Sequence, residues 1–215
     1  MAQDDSCAGG NTGYPSDCEL TQALLEKARK KQESPDRGYV WKSCLPRAKG
    51  LKLFLLDVDG VLTDGTITYT HEGKEIKSFH TRDGLGIRLL MESGVEVGLI
   101  TARESEAVNR RVQDLGLRFV FQKAKNKLEI FQQLLEKLNL EPSEVGYMGD
   151  DWLDLPLLIR VGFAATVADA VPEVLKIAHY VTKRKGGRGA VREVCELILE
   201  AKGTDKQLLE KYLKT

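Results

Sequence analysis

Apolar residues recur along this chain in two different periods. Short apolar runs at 51–56 (LKLFLL), 95–100 (VEVGLI), 118–121 (RFVF), 145–149 (VGYMG) and 162–167 (GFAATV) have the length of strands. The first reads as a strand buried on both faces, stopped by the Gly, Thr and Asp that follow it. Between the runs the apolar spacing changes to three and four. Ala107, Val108, Val112 and Leu115 make one helical stripe, and Leu128, Phe131, Leu134, Leu135 and Leu138 make another. A last helix fits 189–201, with Val191, Val194 and Ile198 on one side. Strands alternating with helices of this length predict an α/β fold on a doubly wound, mainly parallel, Rossmann-like sheet, and no internal repeat is visible.

One segment breaks the alternation. Between Asp64 and Arg82, TITYT and EIKSF are short β-like runs joined by His71-Glu-Gly-Lys74, which predicts a β-hairpin inserted just after the first strand. An insertion there stands over the carboxyl end of the sheet, as a lid or as a surface for a partner subunit. Ahead of the first strand, residues 1–18 are small and polar and predict a disordered start. Leu20, Leu24 and Leu25 predict a short amphipathic helix within 19–33, followed by a linker carrying Pro35 and Pro46. The expected division is an extension over 1–49, a main domain over 50–202 and a helical tail over 203–215.

Composition narrows the field by exclusion. At 215 residues there is room for one substantial core with an appendage. The 32 basic residues balance 32 acidic ones, so no overall field draws nucleic acid or an anionic membrane, and an anion has to be captured locally. No apolar run approaches the roughly 20 residues that cross a bilayer, and the start lacks the basic and apolar regions of a signal peptide. A soluble, cytoplasmic protein is expected. Cys7, Cys18, Cys44 and Cys195 form no C-x-x-C pair and, with three histidines, no zinc pattern, so they are expected as free thiols.

The chemistry concentrates where apolar runs end. Asp57 and Asp59 stand two apart at the end of the first strand, where alternate side chains point the same way, at the sheet edge that binds ligands in open α/β folds. Buried carboxylates need a cation, a proton or a ring of backbone donors. Thr101-Ala-Arg103 follows the second strand, Asn126-Lys127 opens a helix after the third, and Gly149-Asp150-Asp151-Trp-Leu-Asp154 follows the fourth. Each alone has an ordinary reading: a turn at Asp57-x-Asp-Gly, a helix cap at Thr101, a solvated Lys127, a turn and N-cap at Asp150-Asp151. Those readings do not account for this order at successive strand ends. Together Asp57, Asp59, Asp150, Thr101 and Lys127 suit phosphoryl transfer. Mg²⁺ would take Asp57, Asp150 and the carbonyl of Asp59; Asp57 would be the nucleophile and Asp59 the acid and base. Thr101 and Lys127 would bind phosphoryl oxygens, and Asp151 and Asp154 would orient the metal shell or Lys127.

Read together, Asp57-x-Asp59-Gly-x-x-Thr63, Thr101, Lys127 and Gly149-Asp150-(x)3-Asp154 resemble the haloacid dehalogenase superfamily of phosphohydrolases. Closer still, Asp57-Val-Asp-Gly-Val-Leu-Thr-Asp-Gly65, Phe79-His-Thr-Arg82-Asp83-Gly84-Leu-Gly-Ile87, Val167-Ala-Asp-Ala170 and Gly186-Gly-Arg-Gly-Ala-Val-Arg-Glu193 look like the 3-deoxy-D-manno-octulosonate 8-phosphate phosphatase family. The resemblance covers about 50–202. It implies a small Mg²⁺ enzyme without a large cap domain, an aspartyl-phosphate intermediate, a homotetramer whose hairpins and tails complete neighbouring sites, and a role in lipopolysaccharide precursor synthesis. It also implies a substrate carboxylate, for which Arg82 and Arg188 are the expected partners, with Arg188, otherwise read as part of a solvated basic loop, reaching from a neighbouring subunit; Arg103 is expected to bind substrate. Two other readings stay open: a phosphatase for a related ulosonic acid such as a nonulosonate 9-phosphate, and a noncatalytic oligomerisation module. One departure stands out. Before Asn126-Lys127, relatives often have a Gly-containing turn, whereas this chain has Gln122-Lys-Ala-Lys125.

Overall fold

The computed structural model describes residues 38–214. The strands are β1 (Leu53–Leu56), β2 (Thr68–Tyr69), β3 (Glu75–Ile76), β4 (Glu96–Ile100), β5 (Phe119–Phe121), β6 (Val145–Met148), β7 (Phe163–Thr166) and β8 (Tyr180–Val181). Six form one sheet in the order β5-β4-β1-β6-β7-β8, parallel throughout, and β2 and β3 form the separate antiparallel hairpin. The expected doubly wound sheet and inserted hairpin are both present.

The order explains where a ligand can sit. Connections from β1 to β4 and β5 run one way across the sheet, and those to β6, β7 and β8 run the other. Right-handed crossovers therefore fall on opposite faces and leave a crevice at the carboxyl end of β1. All four residues of β1 are fully buried, as an apolar strand covered on both faces requires. Leu56 is flanked by Leu99 on β4 and Met148 on β6, so the chain just beyond these strands, carrying Asp57, Thr101 and Asp150, arrives at one edge.

The helices are α1 (Tyr39–Lys49), α2 (Thr81–Glu92), α3 (Glu106–Leu115), α4 (Lys127–Leu138), the short α5 (Leu155–Leu158) and α6 (Pro172–Ile177), α7 (Ala190–Lys202) and α8 (Asp205–Leu213). α3, α4 and α7 fall where the apolar stripes predict helices. α1 overturns the linker reading of the residues around Pro46. Trp41, Cys44 and Ala48 are buried along one stripe of α1 and join the core against α7. Trp41 meets the Tyr180 ring edge-on at 5.7 Å and donates to Glu200 at 3.0 Å, which outweighs the missing Pro46 N–H. Cys44 and Cys195 are buried free thiols, as expected; the disordered start expected over 1–18, the helix expected within 19–33, Pro35, Cys7 and Cys18 lie outside the described residues. Among the described residues, no helix is long and apolar enough to cross a membrane.

Candidate active site

At the carboxyl end of β1 the fold gathers an anionic cluster around one buried cation. Oxygens of Asp57, Asp150 and Asp154 lie within 4.8 Å of one another. Asn126 caps α4 by accepting from the Glu129 N–H at 3.3 Å, which sets Lys127 in the first turn. From there the ammonium reaches Asp57 Oδ1 at 3.0 Å, Asp154 Oδ1 at 2.7 Å and the Tyr147 hydroxyl at 3.2 Å. Asp154 holds this arrangement from below. Its Oδ1 also accepts from the Tyr147 hydroxyl at 2.5 Å, and its Oδ2 accepts the backbone N–H groups of Asp150 and Asp151 at 2.9 and 3.2 Å. Thr101 is buried at the end of β4, its hydroxyl accepting from the Arg103 N–H at 3.4 Å.

One ammonium does not neutralise three carboxylates. Burial, then the charge of Asp154, pushes Asp57 up to about 7 against the pull of Lys127. Burial and the charges of Asp57, Asp154 and Asp151 push Asp150 up to about 8. Burial disfavours the charged form of Lys127, yet Asp57 and Asp154 outweigh it and leave the ammonium more firmly protonated than usual. The cluster has an excess of negative charge that a further cation would relieve.

Asp59 faces the hairpin. Its Oδ1 accepts from Lys77, whose side chain is 1% exposed and also pairs with Glu75 at 3.0 Å. Arg103 lies between the hairpin and this carboxylate, 3.0 Å from Glu75, 3.5 Å from the Tyr69 hydroxyl and 3.9 Å from Asp59 Oδ2.

Two glycines let the surrounding turns close. At Gly60, φ is +89° and a Cβ would fall on the Asp150 carboxylate, so only glycine admits both. Gly186 is pressed against the same turn: a Cβ there would overlap the Gly60 carbonyl. Gly187 N–H donates to Val61 O at 3.0 Å, fixing the 183–189 segment on the turn after Asp59.

The chain thus has the ordered motif residues assembled at one sheet edge, and comparison with known proteins supplies the family. A model of haloacid dehalogenase-like hydrolases matches residues 116–194. The 3-deoxy-D-manno-octulosonate 8-phosphate phosphatase KdsC of Escherichia coli K12 is 46% identical over 166 residues, 77% of this chain and 88% of that protein. The chain belongs to the haloacid dehalogenase-like hydrolases. Within that family, the crystal structure of 3-deoxy-D-manno-octulosonate 8-phosphate phosphatase from Moraxella catarrhalis, in complex with magnesium ion, phosphate ion and KDO, has a TM-score of 0.77. It is 40% identical and covers 79% of this chain and 98% of that one. The corresponding Yersinia pestis structure has a TM-score of 0.74 at 44% identity, covering 75% of this chain and 88% of that one. The resemblance drawn from the motifs is borne out.

The donor set fits the hard metal of such hydrolases. Asp150 Oδ1 is buried with no hydrogen-bond partner among the described residues, beside Asp57, whereas both oxygens of Asp154 are already engaged. Oxygen donors of this kind suit Mg²⁺. Other expected site residues lie apart from the cluster. Arg82 lines a groove of about 1080 Å³ with Leu85, Arg184 and Arg192, and none of its lining residues is Asp57, Asp59, Thr101, Lys127 or Asp150. Arg188 pairs with Asp64 of its own chain at 3.2 Å. In the Gln122-Lys-Ala-Lys125 turn, Lys123 adopts φ +56° and pairs with Glu104 at 2.6 Å. The residues absent from the sequence reading are Tyr147 and Lys77. Their signals are faint: a polar tip in the apolar run VGYMG, and a lysine two positions after Glu75, just past β3.

Proposed function

We propose that the chain is a Mg²⁺-dependent phosphatase that hydrolyses 3-deoxy-D-manno-octulosonate 8-phosphate to the free octulosonate and phosphate, a step of lipopolysaccharide precursor synthesis. One observation carries the reading: Asp57, Asp150 and Lys127 share one buried cluster in a chain 46% identical to an enzyme of that name. Asp57, Asp150 and the carbonyl of Asp59 would hold the metal. When bound, Mg²⁺ supplies the charge that lets an anionic carboxylate approach a phosphate ester.

The chain's own residues divide the work. An oxygen of Asp57 attacks phosphorus, the bond from phosphorus to the sugar oxygen breaks, and Asp59 gives its proton to that oxygen. Water then attacks the same phosphorus, Asp59 takes the proton, and the bond to Asp57 breaks to release phosphate. Lys127 and Thr101 bind the phosphoryl oxygens, where charge is greatest during transfer. Asp154, with Asp151, orients Lys127 and the Asp150 turn, which their hydrogen bonds support. Arg82 and Arg188 are assigned to the carboxylate of the sugar acid and Arg103 to substrate binding, which its position beside Asp59 supports. Phosphate release from a panel of sugar phosphates tests the reading. Octulosonate 8-phosphate should be the preferred substrate, and Asp57→Asn should abolish turnover with the fold intact; retained turnover refutes it.

The same reading makes the enzyme a homotetramer. Ile67, Tyr69 and Ile76 on and beside the two-stranded hairpin are 47%, 60% and 48% exposed, and an isolated hairpin is marginal in water, which supports cover by a neighbouring copy. Light scattering at micromolar concentration should give four chains, and a fully active monomer contradicts it.

A further inference from the structure

Lys77 has no part in the steps above, yet its side chain is buried against Asp59. It comes from the hairpin, eighteen positions along the chain from its partner, and its ammonium contacts Asp59 Oδ1 and, at 3.0 Å, Glu75. Asp59 Oδ2 is left buried, with no hydrogen-bond partner among the described residues and the Arg103 guanidinium at 3.9 Å. The two oxygens of this carboxylate are therefore inequivalent: Oδ1 is pinned by the Lys77 ammonium, whereas Oδ2 accepts no hydrogen bond among the described residues and faces the Arg103 guanidinium.

A carboxyl group that must hand a proton to a leaving oxygen needs one oxygen fixed and the other free. If both rotate, the proton spends most of its time misdirected, because transfer requires hydrogen-bond reach. We propose that Lys77 is a positioning residue for Asp59. By holding Oδ1 it reserves Oδ2 to carry the proton to the sugar oxygen as the bond to phosphorus breaks, and to take one from water in the second displacement. The hairpin thereby takes part in the chemistry of its own subunit. Glu75 supports this: it binds both Lys77 and Arg103 and so fixes the cations on either side of Asp59. The proposal rests on the acid and base role assigned to Asp59.

Leaving-group chemistry separates positioning from folding or binding. A primary sugar phosphate leaves as a strongly basic alkoxide and needs the proton, whereas p-nitrophenyl phosphate leaves as a stable phenolate and does not. Because kcat/KM reports the steps through leaving-group departure, it is the quantity to compare with saturating Mg²⁺. Lys77→Met should lower kcat/KM for octulosonate 8-phosphate by about 10- to 100-fold, part of the 10²–10⁴ that general acid catalysis contributes. It should leave the aryl phosphate within about 3-fold, and Lys77→Arg should recover much of the loss because it restores a cation at Oδ1. Equal losses on both substrates, no loss on either, or a rise in KM alone for the sugar phosphate would each overturn the proposal. If Lys77→Met does not fold, as judged by circular dichroism, Lys77→Gln is read by the same criteria. Wild-type protein that cleaves the aryl phosphate but not octulosonate 8-phosphate would refute the substrate assignment alone, and the comparison is then made on the best alkyl phosphate of the panel.

Discussion

Asp154→Asn changes one atom type in a fully buried carboxylate and should cost far more than its volume suggests. Asp154 accepts from four donors: Lys127 at 2.7 Å, Tyr147 at 2.5 Å, and the backbone of Asp150 and Asp151 at 2.9 and 3.2 Å. An asparagine has one oxygen, so its NH₂ must face either the two backbone N–H groups or the ammonium and the hydroxyl. In the first case two partly buried donors are orphaned, at up to about 1–3 kcal/mol each. In the second the Tyr147 hydroxyl can turn to accept, but Lys127 loses an anionic partner, and breaking a buried pair costs about 3–5 kcal/mol. Relief of repulsion with Asp57 and Asp150 offsets some of this, so we expect a net loss of about 3 kcal/mol. At a slope of about 2 kcal/mol per molar urea, the unfolding midpoint falls by about 1.5 M. The measurement belongs in both EDTA and Mg²⁺. If Asp154 orients Lys127 and the Asp150 turn, the midpoint falls in both and Mg²⁺ still protects the variant. A variant within about 0.5 M of wild type in EDTA that gains no protection from Mg²⁺ would make Asp154 a metal ligand and refute the argument.

Three further outcomes follow from features of the fold. In the metal-free protein, Asp57 and Asp150 keep protons to about pH 7 and 8 that the unfolded chain has released above about pH 4, so stability falls as pH rises from 4 to 8; the Mg²⁺-induced rise in Tm should be larger at pH 8 than at pH 5 by scanning fluorimetry. Lys123→Gly removes a left-handed lysine and loses only an exposed pair, so chemical denaturation should show a gain of up to about 1 kcal/mol. Trp41→Ala empties the contact of α1 with Tyr180 and α7; a loss of about 3–5 kcal/mol should lower Tm by roughly 10 °C, and an unchanged Tm would mean α1 is not part of the core.

The strands and the catalytic set were legible because one physical event marks them all: an apolar run that ends abruptly in a polar residue. Asp57, Thr101 and Asp150 announce themselves that way, and Lys127 follows a capping asparagine. α1 was hidden by Pro46, although Trp41, Cys44 and Ala48 keep helical spacing. α2 was hidden by Gly84 and Gly86, each unfavourable in a helix by about 1 kcal/mol relative to alanine and used here where α2 packs on α3 and α7. β8 has only two residues and offers no period to read. The contact of Lys77 with Asp59 depends on how the hairpin folds back, and the bonds of Tyr147 depend on the register of β6 with β1 and the placement of α4. Such long-range pairings leave no local pattern.

Among the described residues, the first strand to be synthesised is one that stands inside the sheet, between β4 and β6. A nascent chain that has left the ribosome only as far as Ile100 can dock β1 on β4, but Lys127, Asp150 and Asp154 do not yet exist in it. The other side of β1 stays an unpaired, wholly apolar edge until Met148 has emerged. Chelating power therefore appears late in synthesis and abruptly. A prematurely terminated product would be prone to aggregate along β1 before it could hold a metal ion or touch a phosphate ester.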